Sequence, residues 1–204
     1  MSDKSNFFIR RLHSLLGIIP VGVFLLLHLV LNSTVFFGGY GTYEVTISGM
    51  KSIPLILFAE IFIIAIPILF HGIYGLWIVY VAKNNTLQFN YYRNWSFYLQ
   101  RITAVITLVF LLFHVYTLRL TQHEPAAVIN TLANHLDRPW YFFFYIIGVV
   151  SAIYHFANGF FTFLISWGIT IGDQSQSFFS KFSTLIFVAL GVLGVSILIV
   201  IARF

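Results

Sequence analysis

Polar residues are distributed along this chain so that five long stretches stay almost wholly apolar, near residues 14–36, 54–82, 97–119, 139–169 and 178–202. A helix rising 1.5 Å per residue needs roughly 20 such residues to cross the hydrocarbon of a bilayer, and each run supplies them. The pattern predicts an all-α fold: an integral membrane bundle of five transmembrane helices forming one domain over residues 1–204. The polar stretches between the runs are short and read as loops. Soluble chemistry linked to this chain therefore belongs on another subunit.

Composition strengthens the membrane reading. The chain is 59% hydrophobic and only 8% charged, against about a quarter charged in ordinary globular chains. Arg10 and Arg11 stand before the first run much as charges precede a signal sequence. That run is too long and lacks a small-residue cleavage site, so a retained first helix is expected. Cysteine is absent, which excludes disulfides, thiolate-held iron–sulfur clusters and thioether-linked haem.

Charge sets an expected orientation. With the N-terminus in the cytoplasm and the C-terminus outside, the inner side carries Lys4, Arg10, Arg11, Lys83, Arg93, Arg101 and Lys181. The outer side carries Lys51, Arg119, Arg138 and Arg203, and the inward bias follows the positive-inside rule. The net charge of +5 thus reflects topology; without a dense basic patch, no nucleic-acid partner is expected. Tyr91, Tyr92, Trp95, Trp140, Tyr141 and Trp167 gather near the helix ends, as interfacial belts do.

Four of the seven histidines lie inside separate apolar runs: His28, His71, His114 and His155, spaced 43, 43 and 41 residues apart. Imidazole in hydrocarbon is costly unless it is hydrogen-bonded or ligated, so each is a functional candidate. One alternative is that each ring merely bonds a neighbouring carbonyl. Depth groups them. Counted from the outer ends, His114 is about 7 Å deep and His28 about 15 Å, whereas His155 is about 22 Å and His71 about 25 Å deep. The first and third helices run outward and carry the shallow pair; the second and fourth run inward and carry the deep pair. Two histidines at one level can clamp a haem iron from both faces, and two such clamps stacked across a bilayer form an electron wire. Filling both axial positions leaves electron transfer as the chemistry.

Gly75 and Gly159 each follow a deep histidine by four residues on the same helical face. Two readings of them stand: room for a flat macrocycle, or close helix packing. Zinc is a weaker alternative, because its sites gather three or four ligands at one depth. A cytochrome b with two histidine ligands on each of two helices is excluded, since no run carries the needed pair. His123 and His135 fall in an outer loop and are expected to be solvated.

The segments FFIRRLHSLLGIIPVG, RNWSFYLQRITAVITLVFLLFHVY and IYHFANGFFTFLISWGIT resemble the dihaem cytochrome b subunit of succinate:menaquinone oxidoreductases, most strongly the Bacillus type. The likeness runs over essentially the whole chain, and the four-histidine pattern is its specific part. The resemblance implies a multi-pass subunit of the bacterial cytoplasmic membrane that anchors a flavoprotein and an iron–sulfur protein on the cytoplasmic face. It implies two b haems, the inner held by His71 and His155, the outer by His28 and His114. It implies electron flow from succinate to menaquinone near the outer face. The RRLHS motif resembles the family's propionate-contacting segment, which makes Arg11, His13 and Ser14, with Arg101, the candidate haem-contacting residues. Ser14 is 14 residues before His28 and falls within about 40° of its face. Some fumarate reductases of this superfamily carry a Glu two residues before the fourth histidine. Ile153 stands there, which favours the succinate-oxidising type.

Glu60 completes the candidate set. It lies about 9 Å below the outer end of the second helix and within about 20° of the face of His71, so its carboxylate is expected to point into the bundle as a proton relay for quinone reduction. The alternative is a pairing with an outer cation. Two other functions remain open from the sequence: the anchor of another quinone-linked dehydrogenase, and a haem-free transporter with a histidine proton relay. The scarcity of intramembrane carboxylates beyond Glu60 weighs against the transporter.

Overall fold

The computed structural model describes residues 3–204, with side chains from residue 6 onward. Lys4, counted among the inner cations, has its side chain outside the described residues. Among the described residues five helices are long and apolar enough to cross a membrane. The first crossing is made by α1 (Asp3–Ile18) and α2 (Pro20–Asn32) end to end. Then come α3 (Val35–Lys51), α4 (Ile56–Val81), α5 (Tyr92–Leu120), α6 (Pro125–Leu136), α7 (Pro139–Ser166) and α8 (Asp173–Ile201). The first, third and fifth crossings begin about five to eight residues earlier than the hydropathy run alone suggests. Polar starts such as Tyr92–Gln100 extend the helix beyond the apolar window.

Two breaks follow from proline. Pro20 has no N–H to donate and its ring crowds the carbonyl four residues back, so α1 ends at Ile18 and α2 starts afresh. Pro67 sits just beyond a π-helical stretch, Glu60–Ala65, inside α4. The wider turn accommodates the carbonyl that the proline ring would strike. A second π-helical stretch, Tyr116–Leu120, closes α5 and begins two residues after His114.

The connections at the end that carries Glu60 and Arg119, called outer after the orientation expected from charge, are not open loops. α3 and α6 are helices that lie over the outer end of the bundle and bury Val35, Tyr43, Ile129, Leu132 and Leu136 in the core. In α6 the buried positions recur at three- and four-residue spacing, the mark of a helix with one buried stripe. The glycines of α3 hide the same tendency from propensity reasoning, and Gly39 takes a left-handed φ of 62° at a kink that a side chain would resist. The hydroxyl of Tyr43 donates to Asn32, tying this cap to the end of α2. Burial raises the Tyr43 pKa and so keeps the phenol protonated as that donor.

α7 is the central helix, packed against α5 on one side and α8 on the other. Gly194 of α8 lets Val149 and Ile153 of α7 approach its backbone. Ile153 is fully buried in that contact. The outward faces carry large exposed apolar side chains, among them Leu27, Phe62, Leu69, Ile73 and Leu112, as a lipid solvent requires.

Candidate haem-binding site

Four helices bring the intramembrane histidines together in twos. The rings of His71 on α4 and His155 on α7 have their centres 6.0 Å apart with planes at 83°. Those of His28 on α2 and His114 on α5 are 5.9 Å apart at 90°. These are the two pairs that depth groups. Metal–imidazole bonds of about 2 Å on both faces of one ion, plus the radius of each ring, put the ring centres about 6 Å apart. Both pairs therefore have the spacing of a bis-imidazole clamp. Among the described residues no group of three or more His, Asp or Glu side chains gathers around one point, as a zinc site needs.

The inner pair is held from both sides. His71 donates Nδ1–H to the backbone carbonyl of His13 on α1 at 3.0 Å, and the His13 ring stacks on it at 4.1 Å, nearly parallel. Gly17, one turn further along α1, has no side chain because a Cβ there would overlap the His71 ring. His155 donates Nδ1–H to the carbonyl of Gln100 on α5 at 3.1 Å. A carbonyl bond of this kind uses only Nδ1. Among the described residues no hydrogen bond engages Nε2 of any of the four histidines, so that atom is left free to bind a metal. The outer pair differs: Nδ1 of His114 is buried with no partner, beside the equally unpartnered hydroxyl of Tyr145.

Gly75 and Gly159 turn out to face protein groups. A Cβ at Gly75 would come within 3.3 Å of His13 Nε2, and one at Gly159 within 3.3 Å of Gln100 Nε2. Each makes room for the residue that holds the histidine of its own helix, His13 for His71 and Gln100 for His155. Hydropathy pointed at neither Gly17 nor Gln100. The available signal for Gln100 was a polar side chain inside a crossing, 14 residues before His114 and so on nearly the same face.

The other candidates are dispersed around the inner level. Arg101 is buried, bonds the Asn84 side chain and packs its guanidinium 3.9 Å from the Phe97 ring centre. Its Nε and Nη2 are buried without acceptors, as is Nε2 of His13. The unanswered Arg101 donors, with His13 Nε2 when that nitrogen carries the ring proton, suit an anionic group such as a haem carboxylate. Arg11 lies over the rings of Phe7 and Trp167, and Ser14 is half-buried on α1 next to His13.

At the outer end Glu60 is paired. Both its oxygens accept from Arg119 of α5, the shortest contact being 2.5 Å, and each partner sits in or at the start of a π-helical stretch. His123 is exposed. His135 is not solvated as expected: it stacks on Tyr141 at 4.7 Å and contacts Phe113, because α6 folds over the bundle. Burial, helped by nearby Arg138, holds its pKa below the ordinary histidine value.

Residues 81–201 match the model of the succinate dehydrogenase/fumarate reductase transmembrane subunit family. The succinate dehydrogenase cytochrome b558 subunit of Bacillus subtilis (strain 168) is 44% identical over 195 residues, covering 95% of this chain and 96% of that protein. The chain belongs to this family. The succinate dehydrogenase hydrophobic membrane anchor subunit of Thermoplasma acidophilum is 31% identical over 68 residues, 33% of this chain and 55% of that protein. Membership accords with the five apolar crossings: this is a multi-pass membrane protein.

Proposed function

We propose that this chain is the membrane-anchor and electron-transfer subunit of a succinate dehydrogenase, in which two bis-histidine b haems carry electrons from an iron–sulfur partner subunit to menaquinone. The observation that carries this reading is the pair of histidine clamps at two levels, each with ring centres about 6 Å apart, in a chain of this family. His71 and His155 hold the inner group, and His28 and His114 the outer. Arg101, and His13 in its Nε2-protonated tautomer, offer buried donors to carboxylates at the inner level, with Arg11 and Ser14 at the same end of α1.

The ends of the bundle support a partner on the inner side. The outer end is covered by the chain's own α3 and α6. The inner connections expose Leu87 (94%) and Ile171 (83%) beyond the ends of the crossings. Large apolar side chains left exposed in the connections suit a protein partner. The flavoprotein and iron–sulfur subunits dock there, on the side that also carries most of the Lys and Arg. Ile153, buried where some relatives carry a carboxylate, leaves the fourth crossing without an acid at that point and agrees with succinate oxidation as the working direction.

Haem quantitation with reduced-minus-oxidised spectra tests the reading. Two six-coordinate b haems per chain are expected. His71→Ala and His155→Ala each remove one and the same spectral component, and His28→Ala and His114→Ala the other. One haem per chain, or loss of the same component from His28 and His71 variants, rejects it.

A further inference from the structure

The two histidines of the inner pair are locked by different devices, and only one of them involves a side chain that the electron-transfer reading does not already use. His71 has the His13 carbonyl, the His13 ring and the gap at Gly17. His155 has Gln100. Nε2 of Gln100 donates to the His155 backbone carbonyl at 2.9 Å, and Oε1 of Gln100 accepts from Nδ2 of Asn158 at 2.7 Å. Nδ2 of Asn158 also donates to the Ser96 carbonyl at 3.3 Å. That last bond fixes the amide orientations in turn. A carbonyl needs a donor, so Asn158 presents Nδ2; Nδ2 needs an acceptor, so Gln100 presents Oε1; its Nε2 is then left to donate to the helix of His155.

The same amide lies 3.2 Å from Nδ1 of His155, while the Gln100 backbone carbonyl lies 3.1 Å from it. A ring that ligates through Nε2 carries its proton on Nδ1. The carbonyl is then the acceptor and the amide is committed to the backbone of α7. We propose that Gln100 is a positioning residue for the inner clamp: its side chain clips α5 to α7 so that its own carbonyl takes the Nδ1–H of His155, setting that ring's tautomer and rotation and its donor strength toward the metal. This rests on the ligand assignment above. A ligating imidazole whose other N–H is held by a carbonyl is a stronger donor and favours the oxidised metal. Among the described residues the outer pair has no such bond, so the effect is confined to the inner group.

The test is Gln100→Met, which keeps length and flexibility but loses both amide bonds, made in the whole complex with its partner subunits. The expected result is two haems per chain, an upward shift in the midpoint potential of the inner one with an altered low-spin ferric resonance, and an unchanged outer one. A packing role alone lowers haem occupancy without moving a potential. Unchanged potentials and resonances, or a shift confined to the outer haem, overturn the proposal. If Gln100→Met takes up no haem, Asn158→Ser unanchors the amide while leaving it in place. It should shift the same potential in the same direction by less; no shift overturns the proposal equally. Failure of the ligand assignment is separately visible, because His155→Ala would then retain both haems.

Discussion

Gly17 shows how much one missing atom group can matter. The residue is helical and has no unusual backbone angle, so its identity is explained only by the His71 ring across from it. Adding a Cβ forces the ring or α1 to move, and overpacking of this kind typically costs about 1–3 kcal/mol. The movement also takes the His13 carbonyl away from Nδ1 of His71. Gly17→Ala is therefore expected to lose the inner haem while keeping the outer one, a fall from two haems per chain to one by pyridine haemochrome assay. Retention of both with unchanged spectra would show that α1 can give way. Arg101 is the complementary case: a buried cation with two unanswered nitrogens, whose role comes from what it lacks inside the protein.

Elements act through their irregularities as much as their regular turns. The π-helical stretches of α4 and α5 lie at the outer level, and the Glu60–Arg119 pair joins them. The side chains are 33% and 46% exposed, which limits the pair to less than about 1 kcal/mol. Removing Arg119 as Arg119→Gln should lower the thermal midpoint of the haem spectrum by no more than about 4 °C. The pair is thus a weak fastening, and a large functional loss on changing Glu60 cannot be assigned to unfolding. If Glu60 relays protons to quinone, Glu60→Gln keeps both haems and their reduction by succinate but lowers quinone turnover at least tenfold. Normal turnover with intact haems leaves the residue as a link between α4 and α5.

The whole molecule is asymmetric from end to end. α3 and α6 lie over the outer end and add Val35, Tyr43, Ile129, Leu132 and Leu136 to the core while leaving Phe37 and Leu55 exposed, whereas the inner end has only short connections, which expose Leu87 and Ile171. Leu87 is 94% exposed, so a charge there disturbs nothing within the chain. Leu87→Glu, alone or with Ile171→Asp, should leave two haems per chain and normal spectra yet reduce the flavoprotein and iron–sulfur subunits that co-purify. Full co-purification would place the docking surface elsewhere. Helix α5 links the two levels, carrying Gln100 beside the inner pair and His114 in the outer pair, about 21 Å apart along one face.

The amino-acid sequence by itself determined the five crossings, because hydrocarbon admits only long helices whose side chains are apolar, and that requirement is written in consecutive residues. It also grouped the histidines into the two pairs whose rings meet, since counting residues from the helix ends separates two levels even where a break or a π-helical turn alters the rise. Glu60 and Arg119 were both visible as outer-level charges, but their meeting was one of two readings. What only the tertiary structure decided is what faces what. Gly75 and Gly159 look inward to His13 and Gln100, α3 and α6 fold down as helices over the outer end, and His135 of α6 stacks on Tyr141 of α7. The carbonyls of His13 and Gln100 reach the inner histidines only once α1 and α5 have settled beside α4 and α7. These contacts depend on how each helix is rotated and how it crosses its neighbours, and hydropathy, the same all round a lipid-embedded helix, does not encode that angle.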